Sequence, residues 1–347
     1  MRPSRPHSVL LTAIFILIAL VVGETSAAAV RSPTFSKPIS AGPNAELTGV
    51  SCMAGGVCLA VDYSGARYLM DGTRIQTAGT TGGAYLFAVS CTSHGVCVAV
   101  GNDGEITLTP TSSVTRTLEY ADKGAVHWES ISCSSPDFCG AGGGIISGRH
   151  SGSGVIATWN GRLWSPVKII DPVTPSETHN FISTMTCIGR RFCVAADGNN
   201  RAFQWTGSKW SSPRMLNAPA VNDSFSISCT ATTFCLAIGD TPADVKQWNG
   251  SRWSLAATSH LPSGQPIISC SSPTFCVAVD TYGNAETWDG SVWSPSQLVD
   301  PGGYFDAVSC STTRICEAVD GEGKFVSVTD GHGPAACAAT GCGNVKT

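Results

Sequence analysis

Residues 267–294 read IISCSSPTFCVAVDTYGNAETWDGSVWS. Ile267 to Cys270 is a short β-type run, and Ser271 to Thr274 is a turn. Phe275 to Val279 is a second strand, closed by the turn Asp280-Thr281-Tyr282-Gly283. Ala285 to Trp288 make a third strand, Asp289-Gly290 a hairpin turn, and Val292-Trp293-Ser294 the start of a fourth. Asp-Gly between strand-like runs is a strong hairpin signal, because those residues accept positive φ. Four short antiparallel strands without helical periodicity are the pattern of a β-propeller blade.

The unit recurs along the chain. Its cysteines fall at Cys52/Cys58, Cys91/Cys97, Cys133/Cys139, Cys187/Cys193, Cys229/Cys235, Cys270/Cys276 and Cys310/Cys316, seven C-x5-C units in all. The step between units is about forty residues, a period that marks propellers and solenoids. Six positions apart across a short turn, the two cysteines of a unit can face each other on neighbouring strands, close to disulfide distance. Each bridge is expected to contribute about 2 kcal/mol. Zinc is the weaker reading: the spacing is not that of its usual ligands and no regular histidine accompanies the pairs, so neither a metal nor a cofactor is expected. Cys337 and Cys342 have a different spacing and lie in a Gly/Ala-rich tail, residues 331–347.

The ends of the repeat point to a closed ring. Phe35 to Ala41 reads as a fourth strand with no first three before it, and the unit holding Cys310 and Cys316 has three strands and no convincing fourth. Pairing one with the other would complete a seventh blade and remove exposed edges. The expected fold is therefore all-β: a seven-bladed propeller over residues 30–330, with one hairpin disulfide per blade and an N-terminal closing strand.

Residues 1–29 read as a signal peptide: Arg2 and Arg5, an apolar run from Val9 to Val22, then Ser26-Ala27-Ala28-Ala29. The run is short for a membrane span and no second one follows, so an exported chain with no membrane span is expected. Sixteen cysteines suit an oxidising compartment. Net charge is -4, only 13% of residues are charged and no basic patch is present, which argues against nucleic acid as a partner.

The S-C-x5-C-x-A-V core followed by W-N-G-x-x-W-S, as in Ser132 to Cys139 with Trp159 to Ser165 and Ser228 to Cys235 with Trp248 to Ser254, resembles the cysteine-bearing repeats of secreted actinobacterial β-propeller proteins. The resemblance covers about residues 35–330, implies an architecture and is silent on activity. Blades one, two and seven depart from it in lacking paired tryptophans.

Four groups of residues are candidates for function. The tryptophans Trp205, Trp210, Trp248, Trp253, Trp288 and Trp293, with Trp159 and Trp164 in the same pattern, could stack on sugar rings or simply pack between blades. The turn aspartates Asp62, Asp103, Asp197, Asp240, Asp280 and Asp320 could ring one face, or bond their own backbone. The segments entering each innermost strand differ from blade to blade: Glu46, Tyr85, His127 with Glu129, His179, Asp223 with Phe225, Gln265, and Tyr304 with Asp306. If the protein is an enzyme, a hydrolase or lyase site at the channel mouth would draw on His127, Glu129, His179 and Asp306. Finally, Gly140 to Gly154 reads as a Gly/Ser-rich loop carrying Arg149 and His150 between the second and third strands of blade three. The sequence favours a secreted, non-catalytic binding module for carbohydrate or cell-envelope polymer, with an extracellular protein as the alternative partner. It leaves the oligomeric state open.

Overall fold

The computed structural model describes residues 33–81, 85–93, 95–102, 104–108, 113–116, 124–174, 180–216, 224–240, 245–262, 264–312 and 315–329. The expected signal peptide, His179, Asp103, Asp223 and the Cys337/Cys342 tail lie outside them. Seven antiparallel sheets follow one another along the chain. Their first strands are Leu47–Cys52, Leu86–Cys91, Val126–Ser135, Ile182–Cys187, Phe225–Ala231, Ile267–Ser272 and Phe305–Thr312. Each first strand packs against the first strand of the next blade, and Phe305–Thr312 packs against Leu47–Cys52, which closes the ring. Thr34–Phe35 and Ile39–Ser40 pair with Lys324–Thr329, so the N-terminal segment completes blade seven as expected.

In every blade the two cysteines lie opposite each other on the first hairpin and are bonded. The bridges are Cys52–Cys58, Cys91–Cys97, Cys133–Cys139, Cys187–Cys193, Cys229–Cys235, Cys270–Cys276 and Cys310–Cys316. The pairing is the one the spacing predicts, and the structure adds its depth. Cys58, Cys97, Cys139, Cys193, Cys235, Cys276 and Cys316 are all buried, as are Cys52, Cys187, Cys229 and Cys270 on the first strands. The second cysteine stands on a strand covered on both faces, so its sulfur is packed inside the blade. These cysteines are core positions and offer nothing to a ligand.

The rest of the motif follows the same logic. The alanine two residues after the second cysteine (Ala60, Ala99, Ala141, Ala195, Ala237, Ala278 and Ala318) is fully buried in all seven blades. Second strands are flanked by neighbouring blades, so they read as continuous apolar runs, and a small side chain lets the sheets approach closely. The core is correspondingly divided into seven clusters, each shared by two consecutive blades. One joins Val319 and Phe325 of blade seven to Leu47 and Met70 of blade one.

The hydroxyl residue before the first cysteine ties the ring together. Ser51 Oγ accepts from the Cys91 N–H at 2.8 Å, Ser90 from Cys133 at 2.9 Å and Ser132 from Cys187 at 2.9 Å. Thr186 accepts from Cys229 at 3.2 Å, Ser228 from Cys270 at 2.9 Å and Ser269 from Cys310 at 3.0 Å. Ser309 accepts from the Cys52 N–H at 3.0 Å and completes the cycle. Innermost strands of different blades do not pair with one another, so these side chains satisfy backbone donors that the sheets leave open.

The glycine-rich stretch of blade three is not the long loop expected. Phe138–Ile145 is a strand paired on both sides, and only 146–153 loops out before Gly154–Trp159. Its glycines are steric: a Cβ on Gly143 would strike the His127 carbonyl, and one on Gly144 would strike the ring of Phe181. The backbone there is a seat for bulky neighbours.

Candidate functional site

The tryptophan pairs are built into the rim. Trp159/Trp164, Trp205/Trp210, Trp248/Trp253 and Trp288/Trp293 sit across from each other with ring centroids 5.9, 5.7, 5.7 and 5.4 Å apart. The first indole of each pair donates Nε1–H to a carbonyl in its own cysteine hairpin: Pro136, Arg190, Thr232 and Pro273, at 3.0, 3.0, 3.0 and 3.1 Å. Trp248, Trp288 and Trp293 are only 4%, 2% and 3% exposed. The expectation of stacking platforms is corrected at these three, which are wedged into the blade and offer no face to a sugar. Trp205, Trp210 and Trp253 are half-buried.

Four of the turn aspartates, Asp62, Asp197, Asp280 and Asp320, are structural. Asp62 accepts from the Ser64 and Ala66 N–H groups, Asp197 from Asn199 and Arg201, and Asp280 from Tyr282 and Asn284. All three are buried, as is Asp320, which accepts from the Lys324 N–H. Among the described residues no group of three or more His, Cys, Asp or Glu could hold a metal ion.

The channel mouth, where the innermost strands begin, is different from blade to blade. A register shift falls at the same place in five first strands: between Leu47 and Gly49, Leu86 and Ala88, Trp128 and Ser130, Ile182 and Thr184, and Phe305 and Ala307. The residues left out of the ladder are Thr48, Phe87, Glu129, Ser183 and Asp306. A β-bulge re-aims the side chain it carries, so chemically different groups are presented from equivalent positions around the ring.

Aromatic rings form an arc over blades one to four. Tyr63 and Tyr85 lie 4.8 Å apart, Tyr63 and Phe87 5.7 Å, Phe87 and His127 4.3 Å, and His127 and Phe181 6.4 Å, between ring centroids. Tyr63 and Tyr85 are 40% and 45% exposed. His127 Nδ1 is 3.9 Å from Glu129 Oε1. The two are not an ion pair: burial lowers the His127 pKa and keeps the imidazole neutral, and burial pushes Glu129 up to about 7.

Blades four to seven enclose a cleft of about 370 Å³ lined by Ser183, Ser224, Gln265, Thr281, Phe305 and Asp306, among others. Asp306 is pushed up to about 6 by the surrounding protein and by the charge of Asp320. Tyr304 stands two residues away with its hydroxyl over Gly321, and its pKa is raised by burial and by Asp306, Glu46, Asp320 and Glu322. The structure therefore brings together His127 and Glu129, places Asp306 with Gln265 in the cleft, and buries Phe225. Tyr63, Phe87 and Phe181 were not expected here. Tyr63 comes from a turn and the other two from bulged or flanking positions, and only the packing of blade on blade puts them side by side.

No family model matches the chain, and no curated protein matches it by sequence. Solved structures do. A streptogramin B lyase superposes with a TM-score of 0.69 at 11% identity, over 86% of this chain and 97% of the other. A catalytically inactive virginiamycin B lyase from Staphylococcus aureus, with quinupristin, gives 0.69 at 10%, over 86% and 99%. YCF48 bound to D1 peptide gives 0.62 at 12%, over 85% and 96%. The likeness is to the fold alone. It agrees with a β-propeller and leaves the chemistry of the mouth to be read from this chain's own residues.

Proposed function

We propose that this protein is a non-catalytic binding module that holds a segment of a protein partner across the channel mouth. The observation that carries this reading is the aromatic arc, with Tyr63 and Tyr85 substantially exposed beside Phe87 and His127 on a rigid ring. Exposed aromatic surface next to a polar cleft is the usual composition of an interface centre, and rigid aromatic anchors bind at little entropic cost. One similar fold, YCF48, is described with a bound peptide, which supports the same use of the scaffold. We further propose that the protein is exported: seven bridges need an oxidising compartment, and the leader has signal-peptide character. Among the described residues no helix is long and apolar enough to cross a membrane.

Carbohydrate or cell-envelope polymer is the competing ligand. Its support rests on the half-buried Trp159, Trp164, Trp205, Trp210 and Trp253. A hydrolase or lyase reading draws on one specific observation, a carboxyl near pKa 7 beside a neutral imidazole, Glu129 and His127, with Asp306 elsewhere on the mouth. Parallel screens of the oxidised protein against immobilised random peptides and against a glycan array separate the classes. The proposal expects retained peptides, weakened at least about ten-fold by Tyr63→Ser with Tyr85→Ser. Glycans retained without peptides, and lost in Trp205→Phe with Trp210→Phe, would replace it with the carbohydrate reading.

A further inference from the structure

Two mouth acids lack the partners that the buried acids of this fold have. Glu129 and Asp306 occupy the same bulged position in blades three and seven. Neither accepts a hydrogen bond, and neither meets a lysine or arginine, among the described residues; Glu129 has only the neutral His127 at 3.9 Å. The buried acids are engaged by donors or cations, while the exposed Glu46 and Asp71 are not, among the described residues. Arg201 binds Asp197 and Asp171, both at 2.6 Å, and Lys324 reaches Asp300 at 3.3 Å. Glu129 is drawn partly out of water, its side chain 27% exposed, with no donor or counter-ion. A group of this kind in a native structure calls for a reason, whereas Asp306 is exposed at the mouth.

The cleft puts the exposed acid within reach of a ligand. Asp306 is the only charged side chain, among the described residues, in a wall otherwise made of hydroxyl, amide, aromatic and aliphatic groups. Ser183, the bulged residue of blade four, lines the same cleft, and its Oγ is buried without a hydrogen-bond partner. At about 370 Å³ the space accepts a long side chain. Glu46, Asp320 and Glu322 add negative charge around Tyr304 at its edge, and the adjacent Lys324 is already engaged by acids. The rings of Tyr63, Tyr85 and Phe87 offer π faces along the neighbouring part of the mouth.

We infer that the group entering the cleft is a cation, a lysine or arginine side chain of the bound segment, held by Asp306, with Glu129 a second negative charge at the equivalent position of blade three. The inference rests on the binding reading above. An ammonium or guanidinium would donate to the Asp306 carboxylate and to Ser183 Oγ, while the rest of the segment crosses the aromatic arc.

The test uses peptides retained by the oxidised protein in the random-peptide screen. Retained sequences should be enriched in lysine and arginine, and replacing the key residue by citrulline or norleucine should weaken binding about ten-fold or more. Asp306→Asn and Glu129→Gln, which keep side-chain shape, should remove that preference while thermal unfolding stays cooperative. Binding should fall as pH drops from about 8 to about 5, because Asp306 and Glu129 take up protons, while burial holds the neighbouring His127 below its usual value. Asp320 gains a proton over the same range, which acts in the same direction, and Tyr304 stays neutral throughout. Retained peptides with no cationic preference, or tighter binding at low pH, would overturn the inference and leave the binding reading standing. If no peptide is retained, the binding reading itself falls.

Discussion

The rim and the mouth of this ring are made from the same repeat and show opposite behaviour. At the rim, four blades carry nearly identical tryptophan pairs with the same spacing, the same indole-to-carbonyl bond and similar ring angles. At the mouth, equivalent bulged positions carry Thr48, Phe87, Glu129, Ser183 and Asp306. A feature repeated from blade to blade satisfies a requirement that every blade shares, namely packing and backbone hydrogen bonding. A feature that changes at matching positions of a rigid scaffold is free of that requirement and can be fitted to one ligand.

Substitutions should separate the two regions, first by stability. Trp288→Ala, which empties a fully packed site and strands the Pro273 carbonyl, should cost about 3–5 kcal/mol in denaturant unfolding. Glu317 tests whether an acid inside a blade behaves like those at the mouth. Burial raises it to about 8, although Ser327 Oγ donates to it at 2.9 Å. The stability linked to its proton is complete below the unfolded value near 4.5 and is lost as pH rises through about 8. Glu317→Gln should therefore raise the melting temperature at alkaline pH and leave it unchanged below about pH 4. Equal effects at both ends of the titration would refute the assignment.

Smaller effects follow along the same axis. Removing one bridge by Cys270→Ala with Cys276→Ala should cost about 2 kcal/mol, with peptide binding retained. Ser228→Ala, which leaves the Cys270 N–H without its acceptor, should cost about 1–2 kcal/mol, and hydrogen exchange at that amide should speed up. Tyr63→Ser with Tyr85→Ser should change stability by no more than about 0.5 kcal/mol, because both rings are exposed. A loss comparable with that at Trp288 would mean that the arc is scaffold too.

The architecture was legible because it is periodic. Seven C-x5-C units, Asp-Gly turns and two complementary ragged ends specify blade count, disulfide pairing and closure, each through local geometry. How deep the bridges lie was not legible, since Cys58, Cys97 and Cys193 are hidden by the adjoining blades as much as by their own. The serine before the first cysteine was visible as a pattern, but its partner lies one blade away, so its role as an inter-blade acceptor was not. Glycines at 140–144 suggested a loop because composition does not reveal the bulk of a neighbour: Phe181, some forty residues on, is what excludes a side chain from Gly144. At the site, His127 and Glu129 were legible as a pair two residues apart. The bulge that turns Glu129, and the meeting of Tyr63 with Tyr85 and Phe87, depend on blade-to-blade register that no single repeat contains.

The central claim is that the mouth binds and the rim supports, and the most direct test is peptide capture by paired variants of the oxidised protein. The account predicts that Tyr63→Ser with Tyr85→Ser abolishes capture at unchanged melting temperature, whereas Trp205→Phe with Trp210→Phe leaves capture intact. Loss of capture in the tryptophan variant alone, with the tyrosine variant binding normally, would contradict it.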